Sequence, residues 1–412
     1  MKKVLLFIFI FFIMFGGYII YDNYFKINKL SIEEKQIDID NIYIYGTHLN
    51  FNGNIIDDDN LDIVLYNGEF KEYNININDD TFNMSDNFNE GIYLEDIPVG
   101  KYYLFLRSSY TNEENEKAYK YYSLNNKTKY KEMIYYTFSK NNRKIIINTD
   151  NEYNTLTFNV SKNKDNNIYD IVIDPGHGGK DSGANKNGYY ESDLTMKIAN
   201  NLKSKLEKKG FKAKLTREEN QLSRDEKLND YGTHGRAVIP YEVKAKYLFS
   251  IHLNSNVYNY VNGIELYAPY GINYTFISDM AKNISENANV NYSNNKIGKI
   301  FDGVYTRVFT ESDIKSSKED FIERNMNPYD ITTKSNYYFM IRETGGIITG
   351  AYVDNRNKKV GENPYYDSNI GTEAYLLELG YISNLNELNN IVNNIDKYTD
   401  AITNTCNKYL NN

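Results

Sequence analysis

YDIVIDPGHGG, residues 169–179, joins a short β-rich run to a glycine-rich loop that exposes a histidine, His177. Three consecutive apolar residues, Ile171, Val172 and Ile173, closing in Pro-Gly, predict a buried strand. The glycines around His177 let backbone come close to whatever that side chain binds. Downstream, residues 192–209 carry Leu194, Ile198, Leu202 and Leu206 on one helical face, with a lysine-rich last turn and Gly210 as the stop. Phe211, Ala213 and Leu215 alternate as a strand, and residues 247–251 and 263–268 predict two more. Phe276, Met280, Ile284 and Ala288 mark a helix, residues 374–382 a late strand, and Leu388, Ile391, Val392, Ile395 and Ile402 a C-terminal helix. Strands alternating with helices of this length predict an α/β domain over 169–412, a mostly parallel sheet flanked by helices.

Within that domain three metal-type side chains fall just past strand ends, where open α/β sheets place their sites. They are His177 in IDPGHGG, Glu191 ahead of the helix that begins near Ser192, and His252 in FSIHLNS at the end of the 247–251 strand. Cys406 is the only cysteine, so any metal is held by histidine and carboxylate and no disulfide forms within the chain. Two histidines and one glutamate leave a fourth position open on Zn²⁺, the catalytic arrangement. Singly, each residue has a plainer reading: a histidine after a strand usually makes a structural hydrogen bond, and a glutamate at a helix start usually meets the dipole.

Glu378 stands in YLLELGYI, an otherwise apolar strand where a lone charge is expensive to bury. It needs either a buried cation or a role facing a reactive centre with a perturbed pKa. Glu373, five residues earlier, faces the opposite side of the same strand. Glu265 in GIELYA reads as structural or supporting, and His234 and His48 as bland loop and β-domain histidines.

Taken together, the IDPGHGG, Glu191, FSIHLNS and ELGYISN segments resemble the zinc N-acetylmuramoyl-L-alanine amidases of the Amidase_3 kind over most of residues 169–395. The resemblance implies an αβ domain around one zinc held by His177, Glu191 and His252, with Glu378 as the catalytic glutamate of an ELGF segment that reads ELGY here. It also implies hydrolysis of the amide between the lactyl group of N-acetylmuramic acid and L-alanine in peptidoglycan. Rival readings are a zinc peptidase acting within the stem peptide and a non-catalytic wall-binding protein. Thr216, Arg217, Glu218 and Glu219 fit the family's Thr-Arg-acidic stretch loosely. Pro240 and Tyr241 interrupt the helix after Arg236 and predict that it is kinked or short. Residues 271–370 are longer than in simple members, with polar stretches at 302–330 and 345–369 that suit a groove wall or a lid.

The 412 residues suffice for a second folded unit. Residues 39–160 read as an all-β, sandwich-like accessory domain built from short runs such as LDIVLY, KYYLFLRS, KIIINT and NTLTFNV between Asn/Asp/Gly turns. GIYLEDIPVGKYYLFL resembles the closing hairpin of transthyretin-like and carboxypeptidase-regulatory sandwiches, and its tyrosines read as core or spacer in preference to a sugar-stacking face. Residues 1–21 predict a membrane anchor: the run from Val4 to Ile20 is almost wholly apolar and follows Lys2 and Lys3. Those lysines leave the N-terminus cytosolic and the rest outside, facing the cell wall. Bulky Tyr18, Ile19, Ile20 and Tyr21 after Gly17 lack the small-x-small pattern of a cleaved signal, whose removal would make the protein secreted. A net charge of −8 argues against a nucleic-acid partner and leaves peptidoglycan and, through the anchor, the membrane.

Overall fold

The computed structural model describes residues 32–33, 37–55, 61–73, 76–78, 81–83, 91–123, 132–151, 153–219, 236–323, 331–344 and 371–411. The run from Val4 to Ile20 and His234 lie outside the described residues, as do residues 324–330 and 345–370 of the long polar segment. Among the described residues no helix is long and apolar enough to cross a membrane.

Among the described residues, the main sheet of the C-terminal unit has seven strands: β1 (Ile171–Pro175), β2 (Ala213–Leu215), β3 (Tyr247–Asn254), β4 (Glu265–Tyr267), β5 (Lys299–Phe301), β6 (Val304–Tyr305) and β7 (Glu373–Tyr381). Their spatial order is β2-β1-β3-β7-β4-β6-β5. The four strands β2, β1, β3 and β7 run parallel, so their carboxyl ends share one edge of the sheet. β4 turns back antiparallel to β7, and β6 and β5 extend that edge.

Helices α1 (Glu191–Lys208), α2 (Thr275–Ala288) and α5 (Leu385–Leu410) cover one face, where Ile171, Ile173, Phe249, Ile251, Tyr375, Leu377 and Leu379 meet Leu194, Ile198, Leu202 and Leu206 of α1 in a single core. Each of those α1 side chains contributes about 1.5–3 kcal/mol on burial, enough to hold the helix start in register with the strand ends. The opposite face is thinner: Val172, Leu248 and Ala374 pack on Ala237, Ile239 and Met340. With both faces covered, the strands read as continuous apolar runs.

α1 begins at Glu191 itself, one residue ahead of the expected start. After Arg236 the chain forms a 3-10 turn, Arg236–Val238, and a one-turn helix, Ile239–Glu242, the shortening that Pro240 imposes. Within 271–370, the β5–β6 hairpin, α3 (Glu311–Glu323) and α4 (Phe339–Thr344) are elements that sequence reading did not anticipate.

The described residues between 32 and 162 form two antiparallel-rich sheets, of eight and five strands among those described. Ile44, Leu49 and Phe51 of the smaller sheet share a core with Ile63, Leu104, Ile145 and Phe158 of the larger. Tyr102 and Tyr135 are buried there, as a core role requires.

These sheets dock on the amino ends of the parallel strands. Gly46 donates its N–H to the Gly371 carbonyl at 2.7 Å. Gly371 has φ of 73°, and a Cβ there would lie 1.6 Å from the Ile44 carbonyl oxygen, so only glycine allows this approach. Asp170, just before β1, accepts hydrogen bonds from the Ser139 N–H (2.8 Å) and Oγ (2.7 Å). Lys246, just before β3, is buried 3.8 Å from Asp170 and 4.7 Å from the Phe138 ring centroid. Glu373 begins β7 at this same end, buried and hydrogen-bonded by Tyr375 Oη, remote from the carboxyl edge. The docking thus leaves the carboxyl ends of β1, β3 and β7 uncovered by the β sheets.

Candidate active site

Each of the four predicted site residues sits at that carboxyl edge. His177 follows β1 in a left-handed backbone conformation (φ 61°), uncommon for a residue with a side chain, which turns its imidazole across the strand end. Glu191 is the first residue of α1 and is buried, and His252 lies near the end of β3. Gly176 makes the convergence possible: a Cβ on it would lie 2.3 Å from His252 Cε1.

Glu191 stands between the histidines. Its Oε1 is 3.1 Å from His177 Nε2 and 3.2 Å from His252 Nδ1, and one ligand atom from each of the three side chains lies within 4.8 Å of the others. For bonds of about 2.1 Å, neighbouring ligands on a tetrahedral ion stand roughly 3.4 Å apart, so the cluster is close to the size of a metal polyhedron. Backbone N–H groups of Leu253 (2.9 Å, to Oε1) and Ala184 (3.0 Å, to Oε2) hold the carboxylate. Burial works against its charge, yet hydrogen bonds and charge from the two histidines outweigh burial and keep Glu191 well below the usual carboxylate range.

Sequence reasoning missed Asp181. Its Oδ2 is 2.7 Å from His177 Nδ1, which turns Nε2 toward Glu191 and the cluster. A carboxylate on the far nitrogen of a ligand histidine fixes its tautomer and raises its basicity. Burial lowers the His177 pKa, but Glu191 and Asp181 together carry it above the ordinary histidine value.

The loop itself is braced from below. Arg217 donates to the carbonyls of Pro175 (2.9 Å), Gly176 (3.1 Å) and Ser192 (2.9 Å), tying loop to helix start. Arg236 donates to the His177 carbonyl (3.0 Å) and pairs at 3.3 Å with Asp174. Asp174 is fully buried and also accepts from Thr216 Oγ1 (2.5 Å) and Ser250 Oγ (2.7 Å). Burial opposes its charge, but Arg236 and those hydroxyls hold its pKa below the usual value. The Thr216-Arg217 pair that sequence reading noted only loosely is therefore a brace of the loop.

Glu378 is the direct cross-strand partner of His252 on β7, and Glu265 on β4 is the next in the row. Paired residues on adjacent strands share a face, about 4.8 Å apart along the ladder. Glu378 Oε2 is shielded from solvent and has no hydrogen-bond partner among the described residues. Burial first, then the charges of Glu191 and Glu265, push its pKa well above the ordinary carboxylate value. No buried cation pairs with it among the described residues, which disfavours the salt-bridge reading. Glu265, by contrast, accepts from Tyr267 Oη (2.5 Å), Ser293 Oγ (2.6 Å), Tyr381 Oη (2.7 Å) and Asn295 Nδ2 (3.2 Å), a saturated supporting carboxylate. His48 is buried in the β sheets beside Thr47 and Tyr93, away from this edge.

Residues 171–408 match the family Amidase_3, N-acetylmuramoyl-L-alanine amidase. A Haemophilus influenzae protein described as a probable N-acetylmuramoyl-L-alanine amidase, AmiB, is 43% identical over 91 residues, 21% of this chain and 19% of that protein. A Staphylococcus aureus probable cell wall amidase, LytH, is 52% identical over 50 residues, 11% of this chain and 17% of that protein. The aligned segments thus span less than a fifth of either relative's length. The catalytic domain of CwlV, an N-acetylmuramoyl-L-alanine amidase from Bacillus (Paenibacillus) polymyxa var. colistinus, aligns with 59% of this chain and 99% of its own at 20% identity, TM-score 0.39.

Proposed function

We propose an activity from the premise that this chain belongs to the N-acetylmuramoyl-L-alanine amidase family: it hydrolyses the amide joining the lactyl group of N-acetylmuramic acid to L-alanine in peptidoglycan. The observation that carries this reading is the row of His252 and Glu378 across β3 and β7 beside the His177–Glu191–His252 cluster. Two imidazoles and one carboxylate, with His177 locked by Asp181, suit a zinc ion in preference to the all-oxygen sets that magnesium and calcium favour. When bound, zinc would supply Lewis-acid polarisation of the lactyl carbonyl and acidify water toward neutral pH.

The chain's own residues do the rest. Glu191, His177 and His252 present the ligand atoms, and Asp181 orients the first imidazole. Glu378, with a raised proton affinity, takes the proton from the attacking water and returns it to the L-alanine nitrogen as the amide breaks. Glu265 holds Tyr267 and Tyr381 beside it and keeps a second negative charge near the base.

For the setting, the apolar run from Val4 to Ile20 supports a single-pass anchor with the catalytic unit outside, and residues 32–162 act as an accessory all-β domain that holds the site away from the membrane. Membrane fractionation of the full chain, with external protease as the topology probe, tests that placement. Activity is tested by digesting purified sacculi with and without a chelator and weighing the fragments. New lactyl carboxylates with free L-alanine amines, abolished by chelator and restored by zinc, are the expected products. New amines on the diamino acid or D-alanine of the stem peptide would make the protein a peptidase instead. One equivalent of zinc with no cleavage would make it a non-catalytic binder.

A further inference from the structure

Immediately beyond the ligand His252, the chain exposes apolar surface to a degree seen at few other described positions. Val257 is 92% exposed, Tyr258 59% and Tyr260 69%. The two tyrosine rings stack on one another, centroids 5.5 Å apart with planes at 29°. Residues 254–262, NSNVYNYVN, carry no charge, and their polar groups are amides and the hydroxyls of Ser255, Tyr258 and Tyr260. Exposed aromatic surface of this kind marks a binding site when the surrounding loop is held in place.

It is held in place. Asn256 donates its N–H to Ser383 Oγ at 2.9 Å, and Asn384 Nδ2 donates to the Val261 carbonyl at 3.2 Å. Tyr258 N–H caps onto Asn256 Oδ1 at 3.0 Å, and Gly263 N–H onto Glu387 Oε1 at 2.8 Å. Ser383 and Asn384 directly follow β7, the strand of Glu378. The loop therefore bridges the ends of the two strands that carry His252 and Glu378. Tyr258 lies six positions from His252, so the two Cα atoms stand within about 22 Å of each other.

We propose that Tyr258 and Tyr260 form a carbohydrate platform that holds the glycan strand of the substrate beside the metal cluster. Tyrosine offers a rigid apolar ring with a polar tip, matching a pyranose, whose faces are C–H and whose rim is hydroxyl and acetamido. The amide-rich, uncharged surround fits a neutral polyhydroxy partner. An anionic lipid surface would require lysine or arginine there, and residues 254–262 have neither. The proposal rests on the amidase reading for the identity of the glycan, while the platform itself is measured by binding alone.

The test uses the full chain as wild type, as the Tyr258→Ala/Tyr260→Ala double variant and as the matching double Phe variant. Affinity is measured for purified sacculi and for anionic-lipid vesicles by co-sedimentation, and for a β-1,4-linked N-acetylglucosamine tetrasaccharide by calorimetry. Turnover of N-acetylmuramoyl-dipeptide, which carries a single sugar, is measured in parallel. The double Ala variant is expected to lose about tenfold in affinity for both glycans, while the Phe variant and single-sugar turnover stay within about twofold of wild type. Unchanged glycan affinity would overturn the proposal. So would an equal fall in single-sugar turnover, which signals a structural role, or a loss confined to anionic-lipid vesicles, which signals a membrane surface. If wild type releases no lactyl carboxylate yet the tetrasaccharide loss persists, the amidase reading fails and the platform stands.

Discussion

Replacing Gly176 by alanine tests the geometry of the cluster with the smallest available change. A Cβ at this position would sit 2.3 Å from His252 Cε1, 2.5 Å from Nε2 and 2.6 Å from Nδ1. Restoring an ordinary contact of about 3.4 Å requires something to retreat by about 1 Å. The loop cannot easily do so. Gly176 donates its N–H to the Ile251 carbonyl at 2.9 Å, and its own carbonyl accepts from Thr195 Oγ1 at 2.9 Å and Arg217 at 3.1 Å. Its φ lies outside the left-handed region, so alanine adds no backbone strain and the imidazole must move. Metal–ligand distances tolerate roughly 0.2 Å, so a 1 Å displacement removes His252 from the coordination set. We expect the apparent zinc Kd, by chelator competition, to rise at least about tenfold, and turnover of sacculi to fall about 10²-fold. The urea midpoint of the metal-free protein should change little, because the clash is with a ring at the site edge. Zinc affinity within about twofold of wild type together with turnover within about threefold would refute the placement of His252 against this loop.

Glu378→Gln should lower turnover by about 10²- to 10⁴-fold with one equivalent of zinc still bound by elemental analysis, and loss of the metal would contradict its role as a base. Asp181→Ala frees His177 Nδ1 and should weaken zinc about 10- to 100-fold, while an unchanged Kd would show that the 2.7 Å contact does not orient the ligand. Lys246→Met removes the cation 3.8 Å from buried Asp170, which also acts on buried Glu95, and should destabilise the protein by about 3–5 kcal/mol in urea titration; an unchanged midpoint would show that the joint between the units does not depend on it. Asp174 has a folded pKa below its unfolded value, so its charge stabilises the protein fully above about pH 4 and that contribution is lost as pH falls through the folded value. The stability gap between wild type and Asp174→Asn should therefore narrow from pH 7 to pH 3, and a gap that widens in acid would reverse the sign of this account.

His177 and Glu378 stand out in the sequence because each breaks a local pattern, whereas Glu191 and His252 are singled out by their places at a helix start and a strand end. A histidine interrupts a glycine loop after a buried strand, and a lone carboxylate stands in the apolar run of β7. Polar groups placed where the fold predicts apolar ones mark function, since their burial must be compensated. The same logic applied to Asp174 in IVIDP would have found the buried pair with Arg236. Asp181 had no such signal: an acid in a glycine-serine turn looks like any solvated loop residue, and its partner, four positions away, is identified only by the left-handed turn at His177. The β5–β6 hairpin escaped notice because strands of two or three residues carry no period, and α3 because Ile314, Phe321 and Ile322 make too thin an apolar stripe.

Where the accessory sheets dock was beyond sequence reading for a different reason. Gly46 with Gly371, and Ser139 with Asp170, are long-range contacts between residues that are locally unremarkable. Yet their placement has a functional consequence. Asp170, Lys246 and Glu373 precede or begin β1, β3 and β7, and His177, His252 and Glu378 lie toward the other ends of those strands. One set of strands thus fastens the β sheets at its amino ends and carries the candidate site at its carboxyl ends. On the proposed reading, a glycan strand can then run along the carboxyl edge, where Tyr258 and Tyr260 stand, without meeting the β sheets.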